Sequence, residues 1–170
     1  MKKLALFFIL ALFVVTAQAQ SNRKKKVAGY TKDDYEISCI GVGTEGTKLI
    51  AVYGYGKNPD EAARQAKVNA VHGIIFRGAG AAGGGCQGIK PLAKSQTVEQ
   101  ENSAYFSKFF SPGGAYLNFV GASAQEKDAR DIARIDNRTY KVGIVVSVSY
   151  DALRNELERA GVIRGLSSGF

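Results

Sequence analysis

The chain has 170 residues and is 45% hydrophobic, enough for one domain with a real core and too little for several. Its formal charge is +8, a surplus that could serve nucleic acid, anionic lipid or acidic glycan. Trp is absent and no basic–aromatic repeat is present, so the stacking pattern of single-strand binders is missing and no nucleic-acid partner is expected.

The first residues read "MKKLALFFILALFVVTAQAQ". Lys2 and Lys3 give a positive start, residues 4–15 form an apolar run too short for a good membrane span, and Ala17 and Ala19 are the small residues a signal peptidase needs. We therefore expect a signal peptide over 1–19, cleaved after Ala19, and a periplasmic or secreted bacterial protein with no transmembrane span after cleavage. No cysteine follows the apolar run, so a lipid anchor is not expected. Residues 20–33, which include Arg23, Lys24, Lys25 and Lys26, read as a basic, disordered leader.

Residues 35–42 alternate as a strand does, with Tyr35, Ile37 and Cys39 on one face. Residues 43–46 suit a turn, and residues 47–55 are rich in strand formers, so a hairpin is predicted. The next run, "NPDEAARQAKVNAVHG", carries the clearest helix signal. Asn58 can cap, Pro59 suits the first turn, Glu61 completes a capping-box spacing, and Ala62, Ala66 and Ala70 recur at helical period. Gly73 ends this helix, or it continues to Phe76.

Gly78, Gly80 and Gly83 then match G-x-G-x-x-G literally. A dinucleotide loop needs a strand before it and a helix after it. Here a helix precedes, and Gly84, Gly85 and Pro91 follow, so no nucleotide or other cofactor is expected. The stretch reads as a loop that stays mobile unless Cys86 ties it down. Cys39 and Cys86 are the only cysteines; in an oxidising compartment they form a disulfide or remain two buried thiols. His72 is the only histidine and no C-x-x-C spacing occurs, so no metal site is expected.

Residues 98–110 look helical and place Tyr105, Phe106, Phe109 and Phe110 on one wide aromatic face. That face is either core or a partner surface beside the glycine loop. Residues 116–120 suggest a short strand. Residues 129–135 and 139–150 flank a turn at Asp136, Asn137 and Arg138. Asp151 is a candidate cap for a last helix in which Leu153 and Leu157 pack and Arg154 pairs with Glu158. Residues 164–170 read as a flexible tail.

The order of elements predicts an α+β fold: a largely antiparallel sheet with helices on one face, in ββα…ββα-like order, over residues 34–163, with an inserted glycine-rich and aromatic segment at 77–116. The segments "DEAARQAKVNAV" and "YKVGIVVSVSYDALRNELERAGV" together resemble the N-terminal-type domain of periplasmic flagellar-assembly proteins and small outer-membrane lipoproteins. The resemblance covers about a quarter of the chain, and the inserted segment and missing lipid-anchor cysteine depart from it. It implies a non-enzymatic envelope or assembly component and carries over no site residues.

Three functions are consistent with these residues. The first is a non-catalytic envelope or assembly module that binds a protein or another envelope component. The second is a periplasmic protein that binds a small ligand between the aromatic helix and the sheet. The third is a Cys-dependent enzyme in which His72 activates Cys86, for which no orienting third group is visible. The expectation is no enzyme and no catalytic residue.

Overall fold

A computed structural model describes residues 35–95, 97–123 and 131–165. The expected signal peptide, the basic leader, residues 129–130 and most of the expected tail lie outside the described residues. The described elements form an α+β fold around a mostly antiparallel sheet of six strands.

Strands β1 (Ile37–Val42) and β2 (Thr47–Gly56) form the predicted hairpin, with a register shift between Cys39 and Gly41. Helix α1 (Pro59–Phe76) follows. Strand β3 (Gly80–Ala81) comes next, then the short helices α2 (Thr97–Glu101) and α3 (Ser103–Phe109). A 3-10 turn (Ala115–Asn118) leads into β4 (Val120–Ala122). Strands β5 (Asp131–Asp136) and β6 (Thr139–Ser149) form a second hairpin, and α4 (Tyr150–Arg159) closes the chain of elements.

The sheet runs β3-β1-β2-β6-β4, and β5 also pairs with β6. Strands β2 and β6 pair in continuous register from Thr47–Ser149 to Gly56–Tyr140 and form the centre of the sheet. β4 takes the Val146–Val148 stretch of β6 and β5 the Thr139–Gly143 stretch. Among the described strands only β3 runs parallel to its neighbour, β1.

One face of β2 and β6 carries Ile50, Val52, Val142, Ile144, Val146 and Val148, all buried. These are the β-branched residues whose alternation signalled the strands, and they fit a pleated half-buried surface. Helix α1 covers them with Ala62, Ala66 and Ala70, which are fully buried. Its approach is closer than ordinary side chains permit. A methyl group on Gly54 would stand 2.2 Å from the Ala62 carbonyl oxygen and 2.3 Å from the Ala66 nitrogen. One on Gly56 would stand 2.4 Å from the Ala62 nitrogen. Small residues on both partners let backbone lie against backbone, and only glycine fits the strand side.

The helix begins as its sequence predicts. Asn58 Oδ1 accepts from the Glu61 backbone N–H at 2.9 Å. Glu61 Oε2 in turn accepts from the Lys57 N–H at 3.0 Å, one residue earlier than an ideal capping box would have it. The helix passes through Gly73 and runs to Phe76. Its last carbonyls are then met by the following chain: Leu92 N–H donates to Ile74 O and Ala93 N–H to Ile75 O. Residues 89–95, which show no period, therefore serve as a cap for α1.

The glycine-rich stretch is tied into the fold. Cys39 and Cys86 form a disulfide with Cα atoms 5.9 Å apart. β3 pairs with Ser38 and Cys39, and the Ala82 N–H donates to Cys39 O. Gly78 and Gly84 have φ of +76° and +57°, and added methyl groups there would meet Ile89 O at 2.3 Å and Ile40 O at 1.8 Å. Glycine supplies both the turns and the close approach of backbone to backbone, at Gly84 against β1 and at Gly78 against Ile89.

Three further expectations are corrected. The helix read over residues 98–110 is two helices with a break at Asn102, whose side chain donates to Val98 O; an Asn that bonds the local backbone competes with helix continuation. Residues 116–118 lie in the 3-10 turn, and the strand starts only at Val120. Helix α4 begins at Tyr150 after Ser149, with no side-chain cap, so Asp151 lies inside its first turn.

Of the aromatic face, Phe106 and Phe109 are each 3% exposed and belong to the core, while Tyr105 and Phe110 are half-buried. Phe106 meets Phe76 of α1 edge-on at 5.0 Å between centroids, and Phe109 stacks with Phe119 at 5.9 Å. The Tyr105 hydroxyl is buried and has no hydrogen-bond partner among the described residues.

Two outcomes follow from this packing. Gly54→Ala should lower unfolding free energy by about 3 kcal/mol or more, because the clash is with backbone that cannot yield. Phe106→Ala should lower it by about 3–5 kcal/mol. Urea denaturation of both variants checks this; wild-type midpoints would contradict the packing. Tyr105 gives the opposite sign. Burial, reinforced by Glu156 and opposed by Arg159, raises its pKa above 10.0, and burial with a smaller opposing effect of Arg64 does the same for Tyr116. The folded state then holds these phenol protons longer than the unfolded chain, so stability should fall as pH rises past the unfolded value near 10. Tyr105→Phe should be neutral or stabilising at pH 7, since it removes only an unpaired hydroxyl, and should weaken the alkaline loss. Melting curves at pH 7 and above pH 10 measure both effects.

Candidate functional site

Helix α1 is held on the sheet through Ala62, Ala66 and Ala70, so its flank is set. At about 100° per residue, Gln65, Val68, Asn69 and His72 fall together on one side of that contact. Across from them, Glu99, Gln100, Ser103, Phe106, Ser107 and Phe110 recur at helical spacing along α2 and α3, in spite of the break at Asn102. The two stripes face each other across a cleft of about 510 Å³, with Tyr35 at its end.

The side chains at that end form a hydrogen-bonded line. Tyr35 Oη lies 2.6 Å from His72 Nδ1, and His72 Nε2 lies 3.2 Å from Glu99 Oε1. An ionised carboxylate only accepts, so Nε2 is the donor toward Glu99. In the neutral imidazole Nδ1 is then an acceptor, and the Tyr35 hydroxyl donates to it. The line joins the chain just before β1, the C-terminal part of α1 and the middle of α2, which are otherwise separate pieces of chain.

Aromatic rings fix the imidazole from its sides. His72 stands 4.8 Å from the Phe76 ring and 5.7 Å from the Phe110 ring. The Arg77 guanidinium lies over Tyr35 at 4.5 Å from the ring centroid. Further along the cleft, Gln65 Nε2 donates to Asn69 Oδ1 at 2.9 Å, and Asn69 Nδ2 donates to the Tyr53 carbonyl at 2.9 Å. Asn69 is only 2% exposed, so these bonds satisfy a polar side chain inside the core and anchor the polar stripe to β2.

The sequence singled out Cys39, Cys86, His72 and the aromatic residues, and the structure distributes them differently. Cys86 is bonded to Cys39 and offers no thiolate, so the Cys86–His72 pair weighed as a catalytic arrangement is not formed. His72 instead bonds Tyr35 and Glu99, which sequence reasoning did not connect with it. Phe106 and Phe110 line the cleft, whereas Tyr105 and Phe109 do not. No group of three or more His, Cys, Asp or Glu side chains among the described residues is placed to hold a metal ion. No helix among them is long and apolar enough to cross a membrane.

The hydrogen-bonded line supplies a polar end wall whose parts hold one another in place. Tyr35→Phe should cost about 0.5–1.5 kcal/mol of stability through loss of the bond to His72. It should also alter the ¹⁵N shifts of the imidazole, which in the wild type should show Nε2 protonated and Nδ1 unprotonated. A wild-type spectrum with the proton on Nδ1 would contradict the assignment.

No family model matches the chain, and neither a curated protein nor a solved structure does.

Proposed function

We propose that the protein is an exported, non-catalytic interaction module of the bacterial cell envelope, and that the cleft between α1 and the α2–α3 pair is where it binds. The cleft carries this reading. It is open, lined by amides, hydroxyls and the half-buried His72 and Phe110 rings, and its α1 wall is fixed by hydrogen bonds to the core. The leader "MKKLALFFILALFVVTAQA", with small residues at its end, supports export. A disulfide inside the fold suits an oxidising compartment. The resemblance of the α1 and β6–α4 segments to small envelope domains points the same way.

A Tyr–His–Glu line also suggests the ordering of a nucleophile, a base and an orienting acid. The Tyr35 hydroxyl, however, belongs to a side chain only 7% exposed, and a buried phenol is poorly placed to attack a substrate. The line is better suited to holding a binding wall.

Two measurements test the proposal. Expressed with its leader in a bacterium, the chain should be recovered from the periplasm or medium beginning at Gln20; retention of Met1 in the cytoplasm would overturn export. A photo-reactive residue in place of Ser107 at the cleft mouth should give a discrete adduct in intact cells, and one in place of Asn155 on α4 should not. Adducts from neither position, or from Asn155 alone, would overturn the cleft as the binding site.

A further inference from the structure

A second cleft, also of about 510 Å³, lies along the same helix and is lined by Asp60, Glu61, Arg64, Lys67, Pro112 and Leu117 among others. It shares Gln65, Val68 and Phe110 with the first. The two are therefore one groove, running beside α1 from Asp60 to His72, a helical distance of about 18 Å at 1.5 Å per residue. We infer that this groove binds a neutral, hydroxyl-rich chain, a segment of glycan; the inference rests on the reading of the cleft as the interaction site.

The lining selects among ligand classes. Among the described residues no Lys or Arg lines the end with Tyr35, His72 and Glu99, and the one guanidinium beside it, that of Arg77 over the Tyr35 ring, is offset by the Glu99 carboxylate. At the other end, Arg64 and Lys67 are accompanied by Asp60 and Glu61, which offset them. An acidic polymer would thus meet no net positive track. The middle and the His72 end present Gln65, Gln100, Ser103 and Ser107, whose amides and hydroxyls both donate and accept. Sugar hydroxyls also do both, and adjacent pairs of them match a side-chain amide or a carboxylate. Glu99 fits this role, because His72 occupies Oε1 and leaves Oε2 as an acceptor at the cleft.

Phe110 lies where the two clefts join and is half-buried, so it offers an apolar surface in the middle of a polar groove. The C–H face of a sugar ring can rest on such a surface, with its hydroxyls directed to the walls. A peptide fits less well. Strand addition needs an exposed sheet edge, and the groove is walled by helices and by the turns at Pro112 and Gly113 and at Ala115–Asn118, with no strand among its described lining. Helix docking needs a continuous apolar floor, and here Gln65, Asn69, Ser103 and Ser107 interrupt it.

The test is an NMR titration of the folded protein with a soluble β-1,4-linked N-acetylglucosamine tetramer, beside a neutral tetrapeptide at equal concentration. The glycan should shift resonances of Gln65, Asn69, His72 and Phe110 in a saturable way. Ser107→Arg changes an exposed residue at the groove mouth, so it should keep the wild-type melting temperature and bind the glycan at least tenfold more weakly. Absence of saturable shifts, shifts confined to another surface, or equal binding by the folded Ser107→Arg variant would overturn the inference. Shifts of the same resonances by the tetrapeptide alone would overturn the glycan class and leave the groove as an interaction site. The in-cell adduct at Ser107 judges that broader reading independently.

Discussion

The fold depends on how closely α1 lies on β2. Gly54 and Gly56 on the strand meet Ala62 and Ala66 on the helix with almost nothing between the two backbones. Dispersion falls quickly with distance, so an approach this close gives many favourable atom pairs that larger side chains would separate. It also removes rotational freedom. Once the alanine stripe is pressed to the sheet, every other position on α1 has a fixed direction. Gln65, Asn69 and His72 then lie along one flank because of their spacing from Ala62, Ala66 and Ala70. The polar wall of the groove is a consequence of the glycine–alanine contact beneath it.

Glycine has two distinct uses in this chain. At Gly54 and Gly56 no φ in the left-handed region is involved, and what matters is the missing side chain. At Gly78 and Gly84 the positive φ matters as much as the space. The second group lets the chain leave α1, turn back, and lay β3 along β1. An ordered glycine loop loses much conformational entropy, and the loop needs attachments to offset that loss. The disulfide to Cys39, the pairing with β1 and the bridge between Ala79 and Ile89 provide them. Of the three glycines that resemble a phosphate cradle, Gly78 serves a turn pressed against the Ile89 carbonyl and Gly83 a positive φ of +118°, while Gly80 faces open space, so the match arises from turn requirements and not from a bound phosphate.

Much of the fold was legible because its signals are local. Alternating β-branched residues mark β2 and β6, the Asn58–Pro59–Glu61 spacing marks the start of α1, and the sequence order marks an α+β sheet. The errors fall where a local signal competes with a second one. Asn102 is compatible with a helix by period but bonds Val98 O and divides it. Tyr116, Leu117 and Asn118 look extended by composition but curl into a 3-10 turn after Gly114. The partly exposed Ile132 and Ile135 on β5 show that an apolar residue in a strand need not mark the covered face when the strand lies at the edge.

The candidate site was legible only in halves. Gln65, Val68, Asn69 and His72 are spaced as one face of a helix, and so are Glu99, Ser103, Phe106 and Phe110. Each stripe mixes polar and apolar residues, so neither reads as a simple core or solvent face, and that mixture is the signal that was available. What period cannot give is which stripe faces which. Tyr35 and His72 are 37 residues apart, and His72 and Glu99 are 27 apart. Their meeting depends on the β1–β2 hairpin placing Tyr35 at the end of α1, and on the return of the chain through the glycine loop and residues 89–95. The loop that resembled a ligand site is thus a connection, and its length and turns bring Glu99 to His72. The groove follows from that return: a chain that caps α1 with Leu92 and Ala93 and then buries Phe106 against Phe76 must run its next helix along the flank that Gln65, Asn69 and His72 already occupy.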